Sequence, residues 1–331
     1  MAGTPAALNR LLVVGELCVD LIVELGGSEL RFGQHEQIVG RTTMTMGSSS
    51  AITACGAAAL GVPTTLVSVC GPDTFGSYLI SELERRGVDP THVRIDETMP
   101  TGASTHLTRP DGDRAILTSM GSIGTVVAAD VPEPLLEGAA HLHVGSYFLQ
   151  GSLQADARAL FARARELGAT TSLDGNFDPS ERWDGGILDA LREVDILFGN
   201  DQELRGITGA SSMDAAMAAA LDAMPPGAIV VGKLGADGAI AERRIDGRSV
   251  RVIARPPVVD APLVDTVGAG DTLAAGFLAA TIRGASTEDA LAFAVACGTA
   301  STRGAGGVGA QPGIQEAERL AALVEVDRAE A

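Results

Sequence analysis

The sequence predicts an α/β protein with a mostly parallel central sheet, helices on both of its faces, and a small β lid beside it. Short apolar segments alternate with helical segments along the chain, which is typical of parallel strands buried on both faces. Two stretches, residues 17–45 and 99–118, alternate polar and apolar side chains and do not fit that sheet. We therefore predict a single domain over residues 1–331, with a lid formed by 17–45 and 99–118.

The predicted strands are apolar runs bounded by glycine, proline or polar residues, and the helices are longer runs with helical spacing. The strands of the main sheet cover residues 11–15, 65–69, 141–144, 170–173, 196–198 and 229–231. The helices cover residues 48–60, 78–86, 155–167, 187–193, 272–282 and 287–303. In the lid, 105–108 and 114–118 are predicted to form a hairpin, because residues 110–113 are rich in turn formers. The tail from Gln315 is predicted as a charged helix.

Composition and charge exclude several classes of function. Lys and Arg number 24 against 42 Asp and Glu, a net charge of -18, which repels polynucleotides and anionic membranes. We expect a small-molecule ligand, no nucleic acid and no membrane, because the apolar stretches are shorter than the ~18 residues of a spanning helix. The N-terminus lacks the pattern of a signal peptide. The four cysteines form no metal-ligand spacing, so we expect reduced thiols in a cytoplasmic protein.

The segment from Asp265 to Asp271 carries the strongest chemical signal. Gly268, Ala269 and Gly270 lead directly into an apolar helix, where backbone N–H groups and the helix dipole favour an anion such as a phosphoryl group. Asp271 lies in the first turn, where a carboxylate suits a general base for an acceptor hydroxyl. The alternative interpretation is that Asp271 only caps the helix.

Other polar residues follow predicted strands, at the edge where α/β sheets bind ligands. Asn200 and Glu203 follow the strand 196–198 and offer oxygens to Mg²⁺, which is usually held by few protein ligands together with substrate phosphates. The alternative is that Asn200 and Glu203 form a helix capping box. Asp20 follows the first strand, and Asp174 and Asn176 follow another. Lys233 ends the strand 229–231 and provides a point charge for a nucleotide or for solvent.

Taken together, these segments resemble the ribokinase-like, or PfkB-type, carbohydrate kinases over nearly the whole chain. The residues 265–271 are similar to the DTxGAGD signature of that family, 15–20 to its first strand and acidic residue, and 46–50 to its glycine substrate loop. The residues 174–176, 200–203 and 233–238 resemble three further motifs in the same order.

The resemblance implies an ATP-dependent kinase that transfers the γ-phosphoryl group to a hydroxyl of a sugar or sugar-like substrate. It implies the cofactors ATP and Mg²⁺, a monovalent cation such as K⁺, and a homodimer formed through the lid. The implied catalytic residues are Asp271, Gly268, Ala269 and Gly270, and the implied substrate residues are Asp20, Gly47, Ser48 and Ala51. The implied nucleotide residues are Asn200, Lys233, Gly235, Gly238 and Thr266, and the implied metal residues are Asn200 and Glu203 for Mg²⁺ and Asp265 and Val267 for the monovalent cation.

The sequence departs from the family pattern at the acceptor site. Met46 stands where the family has the first glycine of its substrate loop, Ala51 where it has an asparagine, and Gly145 or Ser146 where several relatives have a glutamate. Missing partners for substrate hydroxyls cost ~1–3 kcal/mol each, so ribose is predicted not to be the preferred acceptor.

Three alternatives remain at this point. A nucleoside kinase of the same family suits the less polar Met46 and Ala51. A dinucleotide-dependent oxidoreductase is suggested by the G-x-G-x-x-G pattern of Gly304 to Gly309, although that pattern follows a predicted helix rather than a strand. A sugar sensor without activity is the third, but a pure binder has no use for a base at Asp271.

Overall fold

The computed structural model describes residues 9–27, 29–111 and 113–330, so the predicted turn residue Gly112 lies outside the described part of the chain. In chain order the strands are β1 (Arg10–Val14), β2 (Cys18–Glu24), β3 (Arg41–Met46), β4 (Thr64–Cys70), β5 (Val88–Asp89), β6 (Val93–Ile95), β7 (Gly102–Thr108), β8 (Arg114–Ser119), β9 (Ala139–Val144), β10 (Thr170–Asp174), β11 (Ile196–Asn200), β12 (Ile229–Lys233), β13 (Ala239–Ile245), β14 (Arg248–Arg255) and β15 (Glu325–Glu330). The helices are α1 (Ser49–Ala59), α2 (Thr74–Arg85), α3 (Glu133–Glu137), α4 (Ala157–Glu166), α5 (Ile187–Ala190), α6 (Asp201–Thr208), α7 (Met213–Ala223), α8 (Ala269–Ile282), α9 (Thr287–Ser301) and α10 (Ile314–Ala321).

The large sheet has the order β15-β14-β13-β12-β11-β10-β9-β1-β4-β5, with β6 also paired to β4. The strands from β12 to β5 are parallel, and β13, β14 and β15 add an antiparallel edge. The predicted α/β class with a mostly parallel sheet is therefore confirmed. Because β1 lies between β4 and β9, the strand order reverses there, and α/β sheets bind ligands at such a reversal.

The main sheet separates two hydrophobic cores because successive side chains of a strand point to opposite faces. In β1, Leu11 and Val13 join the core under α1, α2, α8 and α9, while Leu12 and Val14 join the core under the helices from α3 to α7. All four side chains are fully buried. The strand ends are thus held rigidly from both sides.

A second sheet of four strands, ordered β3-β2-β7-β8, is built from the two segments that the sequence set apart; we refer to it as the small sheet. Its register pairs Asp20 with Thr45 and Ser104, and pairs Leu21 with Met44 and Thr105. Paired residues share a face and neighbours in sequence do not. Asp20 and Leu21 consequently belong to opposite faces of the small sheet.

The tail differs most from the sequence prediction. Residues 314–321 are helical, but residues 325–330 form β15 and pair with β14 in antiparallel register. Without β15, β14 would be an edge strand with a row of unpaired backbone groups. Backbone pairing, which has no periodic signal in a short charged segment, therefore decides the structure of the tail.

Two helices begin at least three residues before their predicted starts. α2 begins four residues early at Thr74, because the Asp73 side chain caps it by accepting a hydrogen bond from Gly76 N. α8 begins at Ala269 rather than at residue 272, so the glycine turn is part of the helix start.

Candidate active site

Polar residues at the ends of five strands, three of them predicted from the sequence, converge on one edge of the main sheet. Glu16, Ser146 and Asp174 lie at or just after the carboxyl ends of β1, β9 and β10, and Asn200 and Lys233 end β11 and β12. The start of α8 lies over this edge, since a Cβ placed on Gly270 would be 3.2 Å from Lys233 Cδ and 3.5 Å from its Nζ. We call the space between these strand ends and the start of α8 the cleft.

The turn before α8 has the geometry of an anion site. Gly268 is the N-cap residue with φ of 72°, and α8 has no side-chain cap. A Cβ on Gly268 would lie 2.6 Å from Gly307 Cα, so only glycine fits both the backbone conformation and the space. The first N–H groups of a helix have no intrahelical partners, and they carry partial positive charge. Ala269 N donates to Thr266 O at 3.3 Å, so among the described residues the N–H groups of Gly270 and Asp271 are those left to bind an anion.

Asp271 lies in the first turn of α8, as predicted. Its Oδ1 accepts a hydrogen bond of 2.6 Å from Ser49 Oγ, and its backbone oxygen accepts one of 3.3 Å from Thr53 Oγ1. Burial raises the pKa of Asp271 to about 6, with Lys233 and Ser49 acting against the shift and Asp174 adding to it. The carboxylate is ionised above that pH and can then accept a proton.

Lys233 holds the centre of the cleft. Its Nζ donates to Asp174 Oδ2 at 2.5 Å, and the Asp174 side chain is almost fully buried. Although burial opposes the charge on Lys233, the carboxylates of Asp174, Glu203 and Asp271 outweigh it and raise the pKa of the amine. A permanent positive charge therefore lies beside Gly270.

Asn200 and Glu203 form the capping box that the sequence left as an alternative. Asn200 Oδ1 accepts from Glu203 N at 3.0 Å, and Glu203 Oε2 accepts from Asn200 N at 2.8 Å. Burial raises the pKa of Glu203, and Asp174 adds to this while Lys233 opposes it. Within the described ranges, Oε1 has no hydrogen-bond donor from the protein, so one oxygen remains for a ligand or a water.

Asp265 connects two loops. Its Oδ1 accepts from Val267 N at 3.0 Å and its Oδ2 from Gly306 N at 2.9 Å. The backbone oxygen of Thr266 accepts from Ala269 N at 3.3 Å. The glycine-rich segment 304–309 therefore follows α9 and braces the turn before α8, which is not the strand-turn-helix setting that a dinucleotide-binding loop requires.

The predicted acceptor residues Asp20 and Gly47 are in contact. A Cβ on Gly47 would lie 2.1 Å from Asp20 Oδ1, so only glycine leaves room for this carboxylate. His106 Nε2 lies 3.4 Å from the same oxygen, and both side chains are buried. Sequence reasoning missed His106, which lies two residues along β7 from the partner of Asp20 and becomes its neighbour only through the register of the small sheet.

The two apolar departures do not face the cleft. Met46 and Ala51 are fully buried and belong to the core under α1 and α8. The glycine-like conformation falls on Ser48, with φ of 76°, where Oγ accepts from Ala51 N at 3.1 Å. The side chains of Met46 and Ala51 therefore contribute to packing. The prediction of a less polar acceptor pocket, which was based on these two residues, does not apply.

A buried polar network was also missed. The Glu16 carboxylate, 3% exposed, accepts hydrogen bonds from Ser50 Oγ at 2.6 Å, Ser146 Oγ at 2.8 Å and Gln150 Nε2 at 3.0 Å. Asn176 Nδ2 donates to Ser146 Oγ at 2.8 Å and so extends the network to the next strand. The position of Glu16 after a buried strand was the available signal, because an acid there needs donors.

His141 and His143 are buried in the sheet and share Ser172 Oγ at 2.7 Å each. Burial lowers the pKa of each imidazole to about 3, so both are neutral. Among the described residues, no group of three or more His, Cys, Asp or Glu side chains has the geometry of a metal centre.

A cavity of about 760 Å³ adjoins the loop that contains Gly235 and Gly238. A Cβ on Gly238, whose φ is 94°, would lie 2.1 Å from Ala254 O, so this tight turn requires glycine. The cavity is lined by Leu234, Ala236, Asp237, Ile253, Arg255, Pro256, Pro257, Val258, Leu323 and Glu325.

In the described part of the chain, none of the helices is long and apolar enough to cross a membrane.

Comparison with known proteins agrees with this geometry. The family model of the pfkB family carbohydrate kinases matches residues 8–312. An ATP-dependent ribose-1-phosphate kinase of Halopiger xanaduensis is 34% identical over 270 residues, which cover 78% of this chain and 81% of the relative. Arabidopsis thaliana ribokinase, solved with ribose and ATP, has a TM-score of 0.78 at 24% identity and covers 95% of this chain and 98% of its own. A ribokinase II from E. coli, solved with ATP and Mg²⁺, has a TM-score of 0.80 at 22% identity, covering 95% and 99%.

Fold and family match together define a carbohydrate kinase, a phosphotransferase with an alcohol group as acceptor. The chain belongs to the pfkB family of carbohydrate kinases. The resemblance predicted from its motifs is thereby confirmed.

We predict that Lys233→Met destabilises the protein by about 3–5 kcal/mol at pH 8, because three carboxylates lose their buried cation. Without the amine, the folded-state pKa values of Glu203 and Asp271 rise further, so the loss is smaller at pH 5, where these two acids take up protons. Urea unfolding at both pH values measures the effect. Arg205→Met, which breaks the exposed pair with Asp201, is the control and should cost under about 1 kcal/mol at either pH. Equal costs for the two variants would refute the central role of Lys233.

Proposed function

We propose that Asp271 is the general base of this kinase and that the turn of Gly268, Ala269 and Gly270 holds the phosphoryl group during transfer. One observation carries the proposal: a carboxylate with a pKa of about 6 lies in the first turn of a helix whose N-terminus has no side-chain cap. The acceptor hydroxyl gives its proton to Asp271 while its oxygen attacks the γ-phosphorus and the bond to ADP breaks. Above about pH 6 the base is ionised and ready.

The phosphoryl side of the cleft supplies positive charge without a cationic surface. The helix-start N–H groups of Gly270 and Asp271 carry the partial positive charge of the α8 dipole, and the Lys233 amine lies beside Gly270. These donors are fixed before ATP arrives, so they need little rearrangement as charge develops in transfer. Gly235, Gly238 and Thr266 would place the nucleotide, with its base in the cavity that Leu234 and Pro256 line.

The acceptor side is proposed to lie between Asp20 and Asp271. Asp20 accepts hydrogen bonds from substrate hydroxyls, Gly47 leaves room for its carboxylate, and Ser48 shapes the loop through its left-handed backbone. The small sheet then serves as a lid over the acceptor. Ala51 contributes to the acceptor loop only by donating its backbone N–H to Ser48 Oγ, because its side chain is in the core.

Two cations are proposed. Glu203 keeps one oxygen unbonded beside Lys233 and Asp174, which fits an Mg²⁺ held through water and through the phosphates, with Asn200 as a further oxygen donor. Bound there, Mg²⁺ would neutralise charge on the phosphates. A monovalent cation such as K⁺ would be held near Asp265 and the carbonyl of Val267. Rates in K⁺ that do not exceed those in Na⁺, or rates that survive removal of Mg²⁺ by a chelator, would argue against these assignments.

The four cysteines are free thiols, and the enzyme consumes ATP, so we place it in the cytoplasm. Fractionation of the source cells tests this placement, and recovery of the protein outside the cytoplasm would contradict it.

The nucleoside-kinase alternative loses its original basis with the burial of Met46 and Ala51. The expectation about ribose now depends on Ser146, whose hydroxyl is used by Glu16 and Asn176 and is not offered to a substrate. The oxidoreductase alternative loses its basis, because the glycine-rich segment 304–309 follows the helix α9 and not a strand.

We predict that Asp271→Asn lowers kcat by ~10²–10⁴-fold, because it removes the base and keeps the size and capping ability of the side chain. The Kd for ATP should stay the same or tighten slightly, since a negative charge near the triphosphate is lost. Steady-state kinetics and calorimetric titration measure the two quantities. Near-wild-type turnover in the Asn variant would show that Asp271 is only a helix cap.

We predict that a panel of sugars, phosphorylated sugars, sugar acids and nucleosides, assayed by ADP release, gives its highest kcat/KM with an acceptor other than ribose. Ribose 1-phosphate belongs in the panel because the Halopiger relative is named for it. If ribose ranks first, our interpretation of the acceptor residues is wrong.

We predict a homodimer formed through the small sheet. Met44 and Leu117 are 42% and 59% exposed and lie in one row across the face opposite Asp20, a face that a second copy would cover. Leu117→Glu should then dissociate the dimer without unfolding the chain. Light scattering at micromolar concentration decides the matter, and a monomer mass for the wild type would contradict the prediction.

A further inference from the structure

Three consecutive serines lie at the start of α1, and two of their hydroxyls donate to Glu16 while the third donates elsewhere. Ser48 Oγ donates to Glu16 O at 2.5 Å and accepts from Ala51 N. Ser50 Oγ donates to the Glu16 carboxylate at 2.6 Å. Ser49 Oγ alone points to the other side of the cleft and donates to Asp271 Oδ1 at 2.6 Å.

The position of Ser49 is fixed by its neighbours rather than by its own hydrogen bond. Ser50 is fully buried, and its Oγ lies so close to Gly15 and Gly145 that a Cβ on either would be within 2.0 Å and 2.5 Å of it. Ser48 is held through Glu16 on the other side. The loop therefore does not need the contact with Asp271 to keep its shape, which leaves that contact available for a role at Asp271.

The hydrogen bond from Ser49 occupies Asp271 Oδ1 and leaves Oδ2 of the same carboxylate available. In the ranges that the structure describes, Asp271 Oδ2 has no protein donor. The charged groups that face Asp271 from the surrounding elements are Lys233 at the end of β12, Asp174 at the end of β10 and Glu16 after β1. Ser49 is the neutral donor among them, and it comes from the acceptor side of the cleft.

We propose that Ser49 is a positioning residue that directs Asp271 Oδ2 towards the acceptor hydroxyl and keeps the carboxylate ionised. This inference rests on the proposed role of Asp271 as the base. During transfer, Oδ2 takes the acceptor proton, the acceptor oxygen forms its bond to the γ-phosphorus, and the bond from that phosphorus to ADP breaks. Ser49 keeps its own proton and donates to Oδ1 throughout.

The test is the pH dependence of kcat/KM in three variants, with the best acceptor of the panel. In the wild type the rate should fall on the acid side with an apparent pKa of about 6, because protonation of Asp271 removes the base. Ser49→Ala loses a donor to the ionised form, so this limb should move to higher pH by roughly one unit. On the plateau above both limbs, kcat should fall roughly 2- to 10-fold, because the orientation of Oδ2 is lost.

Two variants serve as matched controls. Ser49→Thr keeps the hydroxyl and should restore both the wild-type limb and most of the plateau rate. Thr53→Val removes the hydrogen bond to the backbone oxygen of Asp271 but leaves its carboxylate untouched, so the limb should not move. Urea unfolding of all three variants shows whether each one is folded under assay conditions.

An unshifted limb in folded Ser49→Ala would overturn the inference, whether or not kcat falls, since a purely structural or substrate-binding serine changes rates and not this limb. A shift of the same size in Thr53→Val would overturn it as well. Asp271→Asn separates the two proposals: if that variant is active, the base assignment fails, and if it is inactive while the Ser49→Ala limb is unshifted, only the role of Ser49 fails.

Discussion

The cleft depends on one buried cation, the amine of Lys233. The amine lies 2.5 Å from Asp174 Oδ2 and also offsets the negative charges of Glu203 and Asp271. It therefore stabilises the close approach of the ends of β10 and β12 and the starts of α6 and α8. Without that amine, Glu203 and Asp271 would have to be buried as neutral acids. The raised pKa of Asp271, still low enough for ionisation near neutral pH, is thus a balance between burial on one side and the Lys233 amine and the Ser49 hydrogen bond on the other.

A second constraint connects the nucleotide and acceptor sides. Asp265 binds the backbone of its own turn and that of Gly306, while Gly307 lies against Gly268. Gly306 in turn lies against Thr45 of the small sheet, on the face that carries Asp20. A shift of the small sheet would therefore reach the turn that we propose to hold the phosphoryl group through direct contacts.

The sequence could predict what depends on local order along the chain. Alternating apolar and helical runs give the parallel sheet, and strand ends then bring Asp174, Asn200 and Lys233 to one edge. It could not predict contacts set by tertiary packing: Ser49 and Asp271 are 222 positions apart, and no periodicity relates them. Met46 was misread for a similar reason, because only the register of the small sheet shows that it faces the core.

The charge of the chain explains why the site is built from fixed donors. A protein with a net charge of -18 offers no attractive field to a nucleotide at long range. Beyond about one Debye length, salt screens that field. At shorter distances, the arrangement of nearby donors and charges decides whether a nucleotide is bound. Backbone N–H groups at a helix start and one buried lysine place positive charge at the proposed phosphate site, where Mg²⁺ would add to it. The proposed acceptor side carries Asp20 and Asp271 instead, and carboxylates accept hydrogen bonds from the hydroxyl groups of a sugar.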